Sequence, residues 1–482
     1  MKSKDTIRVV IVGAGKAGEL LSAEILKDKE STYEIIGFVD DKVSGSVNKL
    51  NILGNISSLR NIVESNAVEE IIIAIPSERG KVIRSIIEST AGLKLVYKIL
   101  PRLSEVLLQD FKKQYLKFVR RVKPEDLLGG EILKSDQQEI TDFSKKQVVL
   151  ITGAAGSIGS ELSRQIAAHN AKKIVFYDWW ENGMFDLQNQ LHDLYPDLNY
   201  EFIIGDVKDR RKIDQVVKTY LPTTIFHAAA YKHVPLMEHN PAEAIKNNII
   251  GTKTVAEIAI KYKVNKFILV STDKAVNPTN IMGATKRAAE KMIHILASSQ
   301  DTTSFCAVRF GNVINSNGSA IPTFKKQIMQ GGPVTVTHRQ ITRYFMTIPE
   351  AVHLILQTWV MGKNNDLFVL DMGEPVKIYE LAKLLIALQG YVPDEEIKIK
   401  ITGLRPGEKL YEEVLVKEEE VQATSVKKIF RTTNYMNFDR LAFLNNLSLL
   451  IESVDTDSLD TEYLRNMLRQ MISTYKPSKE QI

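Results

Sequence analysis

Residues 148–159 read VVLITGAAGSIG, an apolar run that breaks into glycines at 153, 156 and 159. This pattern constrains the chain severely, because it suits a buried parallel strand, a tight turn and a helix whose first amides stay unbonded. Those amides and the positive end of the helix dipole form a site for a pyrophosphate. Gly153, Ala155, Gly156, Ser157, Ile158 and Gly159 are therefore candidate cofactor contacts. A second strand over 173–177 ends at Asp178, nineteen residues past Gly159. A carboxylate there accepts from an adenosine ribose 2'-hydroxyl and repels a 2'-phosphate, so NAD is expected rather than NADP. Asp206 and Val207 suit the adenine edge, and the strand over 224–230 brings the small residues Ala228, Ala229 and Ala230 close to the cofactor. A lone glycine triplet is weak evidence; the order strand, turn, helix, strand, acid is far more specific.

A further apolar run, KFILV at 266–270, reads as another buried parallel strand and is followed by Ser271-Thr272-Asp273-Lys274. The carboxyl ends of such strands feed ligand sites. A hydroxyl, a carboxylate and an amine thus arrive together at a sheet edge. Downstream, Met282 and Lys286 are four residues apart and share one helix face. An isolated Thr-Asp-Lys is more often a polar turn. Its setting between the nucleotide fingerprint and Lys286 favours a catalytic reading.

The matching stretches are TGAAGSIGSEL (152–162), HAAAYKHVPLME (227–238), NNIIGT (247–252), STDKAVNPTNIMGATKR (271–287), RFGNV (309–313), TRYFMTIPEA (342–351) and GLRPGEKLYEE (403–413). In these, residues 146–440 resemble the bacterial UDP-N-acetylglucosamine 4,6-dehydratases of capsule, O-antigen and protein-glycosylation pathways, within the extended short-chain dehydrogenase/reductase superfamily. The wording at 179–186, WWENGMFD, is less like that family's. The resemblance implies two Rossmann-like doubly wound α/β domains, the second with a smaller carboxy-terminal substrate-binding region. It also implies a lyase in which NAD takes a hydride from carbon 4 of the hexose and returns it to carbon 6 after water is lost. On this reading Asp273 protonates the leaving 6-hydroxyl and Lys274 acts on carbon 5. A lysine base requires a depressed pKa. Burial, Lys286 or the cofactor's charge is expected to supply it.

The family's short-chain relatives ordinarily carry an acid/base tyrosine where this chain has Met282. A thioether carries no proton. Thr272 is then the nearest hydroxyl to the sugar 4-hydroxyl, and its deprotonation is left to Lys286, the nicotinamide charge or a water. Methionine at this position resembles the branch that retains configuration at carbon 5. The resemblance places Arg309 and Asn312 against the nucleotide diphosphate. Arg343 and Arg405 are guanidinium candidates for phosphate oxygens. Glu408 is assigned to the uridine ribose, and Lys232 and His233 to the pocket lining. Each of these also fits a surface ion pair when taken alone.

The amino terminus repeats the theme. A strand over 8–12 runs into GAGKAG at 13–18, and a second strand over 33–39 ends at Asp40-Asp41, with no catalytic group following. A nucleotide sensor, an assembly scaffold and a second active site all remain open for it. The expected organisation is 1–100 as this Rossmann-like domain, 101–145 as a linker, 146–440 as the dehydratase domain and 441–482 as a carboxy-terminal helical segment. A basic amphipathic helix over 111–123 is read as packed on one face, with contact to anionic headgroups as the other reading.

The chain has 482 residues, 44% apolar and 25% charged, enough for two cores. A net charge of +5 is too small and dispersed to argue for nucleic acid, and one cysteine, Cys306 in an apolar strand, suits a reducing cytoplasm. No His or Cys spacing matches a metal site. Longer relatives carry transmembrane helices ahead of this point, which brings the cytoplasmic face of the inner membrane into the expected localisation. A homo-oligomer is expected, with UDP-N-acetylglucosamine as substrate. A carbon-5-inverting dehydratase, a UDP-hexosamine 4-epimerase and a non-catalytic sugar-nucleotide sensor are the competing functions.

Overall fold

The computed structural model describes residues 6–76, 80–101, 115–128, 137–415, 419–433, 438–454 and 460–477. The chain divides into two compact units: 1–131 with 319–340 and 376–403, and 132–318 with 341–375 and 404–482.

In the first unit the strand Ile7–Val12 buries Val9, Val10, Ile11 and Val12 completely. It pairs in parallel with Tyr33–Val39 on one side and Glu70–Ile73 on the other, at the centre of a seven-stranded sheet. Gly13 has φ +109°, and a Cβ there would lie 2.6 Å from Ile75, so the turn into the helix Lys16–Lys27 requires glycine. Asp40 closes the turn by accepting the Ala14 amide at 2.7 Å. Burial opposes the charge on Asp40, but the amides of Ala14, Lys42 and Val43 outweigh it and hold the carboxyl below its usual range. The helix Ile378–Leu388 contributes Leu384 and Ala387 to the apolar cluster that contains Ile83, Ile86 and Ile87 of the helix Lys81–Ser89.

The basic stretch over 111–123 departs from the helical expectation at its end. Its described part is one short helical turn, Tyr115–Phe118, followed by an edge strand, Arg120–Arg121, paired antiparallel with Val96–Ile99. Residues 111–114 lie outside the described residues. Arg120 makes a two-pronged pair with Asp126 at 2.6 and 2.8 Å, so its charge is spent on the fold.

The second unit is built on a nine-stranded sheet. Its parallel part runs Tyr200–Ile204, Lys173–Asp178, Val148–Thr152, Thr224–His227, Lys266–Val270, Ser304–Arg309, Asp366–Leu370. Two antiparallel strands, Ile429–Thr433 and Glu420–Ala423, complete it. The order reverses between Val148–Thr152 and Thr224–His227, and ligands bind at the carboxyl ends of strands beside such a switch point. Apolar clusters cover both sheet faces, one including Phe176, Phe226 and Trp359, the other Phe267 and Phe305. The fold class expected from sequence is the one observed. The helix Ile281–Ser299 is capped by Asn280, whose Oδ1 accepts from the Gly283 amide at 2.7 Å. A third cluster joins that helix to the carboxy-terminal helices Arg440–Val454 and Thr461–Met471.

Candidate active site

The dinucleotide end of the site follows from three glycines. Gly153 has φ +71°, and a Cβ there would come 2.6 Å from the amide nitrogen of Ala229. At Gly159 a Cβ would lie 1.9 Å from the Gly153 carbonyl oxygen. Only glycines let the strand end, the turn and the helix Ser157–Ala168 approach so closely. That helix has no side-chain cap and no acidic residue in its first turn, which suits an anion. Ala155 donates its amide to Asp178 Oδ2 at 3.0 Å, and Trp180 donates to Oδ1 at 3.0 Å. Burial raises the Asp178 pKa despite those amides. An ionised carboxylate has about four acceptor positions, so ribose hydroxyls still find room there. Ser157, Trp180, Gly183 and Asn317 line part of a cleft of about 230 Å³ beside this turn.

Asp206 Oδ1 accepts from the Lys208 amide at 2.9 Å, and its carbonyl accepts the Tyr177 hydroxyl at 2.8 Å, while Val207 is buried. Ala228 receives backbone support from Thr152, to whose carbonyl it donates at 3.0 Å. The run through Ala229 and Ala230 continues past the strand toward Tyr231. His227 is fully buried between the hydroxyls of Thr152 and Thr252 at 2.8 and 3.0 Å, and burial lowers its pKa to about 3. It is a neutral core histidine at any physiological pH.

The candidate catalytic residues converge at the end of Lys266–Val270. Lys274 Nζ donates to Asp273 Oδ1 at 3.0 Å and to Asn312 Oδ1 at 2.9 Å. Thr272 donates its hydroxyl to the same Asp273 Oδ1 at 2.9 Å. Asp273 is 1% exposed, and its Oδ2 is buried with no hydrogen-bond partner. Lys286 donates to the Val270 carbonyl at 2.8 Å, the last residue of the same strand. Met282 is buried in the apolar cluster with Met237 and Ile245.

The protonation pattern corrects one expectation. Burial disfavours charge on Lys274, yet Asp273 and Glu412 outweigh it, and its pKa is raised rather than depressed. Burial does lower Lys286, to about 8 and against the opposing pull of Glu290. Sequence reasoning passed over Glu412. It lies 3.8 Å from Lys274 Nζ and 3.7 Å from Arg343 Nε, and its signal was its place late in the GLRPGEKLYEE stretch.

Arg309 is not placed as a substrate ligand. Its guanidinium is fully buried and donates to Glu290 through Nε and Nη2, both at 2.7 Å, and to Glu419 at 2.7 and 3.1 Å. Arg287 bridges the same two carboxylates at 3.0 and 3.1 Å. Glu290 also accepts the Ser271 hydroxyl at 2.6 Å, so this network pins the catalytic strand end to the helix that carries Lys286. The spacing from Arg309 to Glu290 and Glu419 carries no local pattern, which is why the sequence suggested a phosphate instead.

Arg343 is also largely committed, donating to the carbonyls of Thr342 and Lys409 at 2.7 and 2.9 Å and to Glu408 Oε1 at 3.4 Å. Glu408 Oε2 accepts the Arg405 amide at 3.1 Å, while the Arg405 residue is exposed. Lys232 and His233 are exposed at the rim, and the His233 ring packs so closely on Gly318 that a Cβ there would lie 2.5 Å from it. The NNIIGT stretch forms a π-helical turn, Lys246–Gly251. Its Asn248 holds both the amide and the carbonyl of Tyr231, at 2.8 and 3.0 Å, and donates to Thr285 at 3.0 Å. Cys306 is buried and donates to the Lys363 carbonyl, with burial pushing its thiol up to about 12. Among the described residues no group of His, Cys, Asp and Glu is arranged to hold a metal, and no helix is long and apolar enough to cross a membrane.

The family described as "Polysaccharide biosynthesis protein" matches residues 149–434, and one described as "CoA-binding domain" matches residues 1–95. The chain is 47% identical over 423 residues to "Probable polysaccharide biosynthesis protein EpsC" of Bacillus subtilis, covering 86% of this chain and 69% of that protein. It is 36% identical over 291 residues to "UDP-glucose 4-epimerase" of Rickettsia canadensis, covering 59% of this chain and 82% of that one. Among solved structures, the X-ray structure of Pen from Bacillus thuringiensis superposes with a TM-score of 0.56 at 30% identity, covering 68% of this chain and 98% of that chain.

Proposed function

Since the chain belongs to the polysaccharide biosynthesis protein family, we propose that it is an NAD-dependent UDP-N-acetylglucosamine 4,6-dehydratase that retains configuration at carbon 5. The observation that carries this reading is the Asp273–Lys274 pair, 3.0 Å apart at a strand end with the carboxylate buried. A 4-epimerase, favoured as a second reading by the Rickettsia relative, needs no acid/base pair over carbons 5 and 6.

The glycine turn and Asp178 fit NAD, because the collision awaiting any Cβ at Gly153 marks a cradle built for close approach. Bound there, NAD supplies the hydride acceptor for carbon 4 and the hydride donor for carbon 6. The chain's own residues manage the protons. At rest Lys274 is an ammonium beside a carboxylate. Passing one proton from Lys274 Nζ to Asp273 Oδ1 leaves a neutral amine and a carboxylic acid. That single transfer arms both partners: Lys274 removes the carbon 5 proton, and Asp273 protonates the departing 6-hydroxyl. A site closed to water favours the neutral pair, since both charged forms lose solvation together. Lys274 then returns a proton to carbon 5 on the face it left, and the proton given up by the sugar 4-hydroxyl, passed through Thr272 to Asp273, replaces the one that left with water. Met282 offers no proton for the opposite face, which supports retention. Thr272, sharing Asp273 Oδ1 with Lys274, is the hydroxyl proposed to contact the sugar 4-hydroxyl. Arg405 and Asn312 are proposed substrate contacts, and Arg343 and Glu408 are proposed to shape the loop that meets the diphosphate and ribose.

Incubation with UDP-N-acetylglucosamine in heavy water, read by mass spectrometry and NMR, tests the reading. Loss of water with one deuteron at carbon 5 of a D-xylo product is expected. A first-formed L-arabino product overturns retention alone. An isomer of unchanged mass favours the epimerase, and an unaltered substrate favours a sensor.

A further inference from the structure

Glu412 is 8% exposed and faces two cations. Its Oε1 lies 3.8 Å from Lys274 Nζ and 3.7 Å from Arg343 Nε, and its Oε2 is buried with no hydrogen-bond partner among the described residues. Asp273 Oδ2 is likewise buried and without a hydrogen-bond partner among the described residues. Two of the three ammonium hydrogens of Lys274 go to Asp273 and Asn312, which leaves the third for the Glu412 side. Arg343 is fixed by the carbonyls of Thr342 and Lys409, so Glu412 cannot follow Lys274 without leaving an anchored guanidinium.

We propose that Glu412 is a positioning residue of this centre. It competes with Asp273 for the Lys274 ammonium and so sets which member of the Asp273–Lys274 pair holds the shared proton. A negative charge this close favours the ammonium, which is the unarmed state of the pair. Glu412 therefore restrains proton transfer until a ligand shifts the balance. The chemical meaning of that restraint rests on the dehydratase reading; the restraint itself does not. Among the described residues, the charged and titratable groups around Lys274 are Asp273 on its own turn, Glu412 and Arg343, Glu408 paired with Arg343, and Lys232, whose charge opposes that of Lys274. Asn312 adds a neutral acceptor.

The test is an NMR pH titration of the full chain carrying 13C-labelled lysine, with the Lys274 signal assigned by its loss in Lys274→Arg. In Glu412→Gln the Lys274 signal is expected to titrate about one unit earlier than in the wild type, the low end for losing an opposite charge at this distance. Glu408→Gln, which touches Arg343 but not Lys274, is expected to leave it in place. Glu412→Asp retracts the charge by one methylene, moves the titration in the same direction by less, and decides the matter if the amide disturbs the loop. Lys274 titrating no earlier in either Glu412 variant overturns the proposal. In the same samples the acid limb of the dehydration pH profile is expected to move down with the titration. A wild-type chain inactive toward UDP-N-acetylglucosamine refutes the dehydratase reading, while the titration still decides the role of Glu412.

Discussion

Replacing Arg309 with methionine separates a buried structural arginine from a substrate ligand. The substitution removes four charge-assisted bonds and takes from Glu290 and Glu419, each under 10% exposed, one of the two guanidinium groups that bridge them. Bond energies of this kind do not add, and the governing cost is that of stranding buried charge. Breaking a buried pair from one side costs about 3–5 kcal/mol. In a unit of this size such a loss lowers the melting temperature by about 5–8 °C. The chain's three tryptophans, Trp179, Trp180 and Trp359, all lie in the second unit, so intrinsic fluorescence during denaturant or thermal unfolding reports on that unit. The pH dependence adds a sign. Burial raises the Glu290 pKa, but Arg309 and Arg287 overcome it and hold it at about 2. A depressed carboxyl contributes stability above its unfolded pKa of about 4.3 and loses it as the pH falls toward the folded value. The deficit of Arg309→Met is therefore largest near neutrality and shrinks below pH 4. Arg309→Lys keeps the charge without the planar fork and recovers only part of the loss. A methionine variant within about 1 kcal/mol of the wild type, with a raised KM for the sugar nucleotide, would refute the structural role and restore Arg309 as a phosphate ligand.

Three further outcomes are expected. Asp273→Asn and Lys274→Ala retain NAD binding by calorimetry but lose dehydration by at least about a hundredfold, and near-normal turnover in both removes the pair from the mechanism. Lys286→Met abolishes turnover yet is no less stable than the wild type at pH 7. Burial lowers the Lys286 pKa to about 8, so its charged form costs stability below that value, and the difference closes as the wild type gains stability between about pH 8 and 10.4; a variant clearly less stable at pH 7 contradicts this. Gly159→Ala pushes a methyl to within 1.9 Å of the Gly153 carbonyl and is expected to eliminate NAD binding, which isothermal titration measures directly.

The parts of this site that announce themselves in sequence are those set by local chemistry. Gly153 and Gly159 are legible because only glycine satisfies their backbone approach, and Asp178 because a strand of known period ends on it. Asp273, Lys274 and Lys286 follow from a strand end and a helix face. What escapes is long-range pairing. Nothing near Arg309 points to Glu419, 110 residues away, and nothing near Lys274 points to Glu412. A depressed pKa was expected at Lys274 and is found instead at Lys286 of the same site, because the fold sets carboxylates beside the first and buries the second. The end of the basic stretch departs from the helical reading for a related reason: Arg120–Arg121 joins a sheet edge, and tertiary pairing overrides the helical pattern there.

The grouping of 376–403 with the amino-terminal unit bears on how the protein is made. A ribosome extends a chain by about 5–20 residues each second, so the helix Ile378–Leu388 emerges roughly 12 to 50 seconds after residue 131. Until then the face of Lys81–Ser89 that receives Leu384 and Ala387 has no cover. The first unit to begin synthesis is thus completed late, after most of the second has been made. A premature stop between residues 341 and 375 removes nothing from the nucleotide turn of either unit, yet deprives the amino-terminal core of Leu384 and Ala387. The two halves are interdependent in birth, and quality control acting on one is expected to discard both.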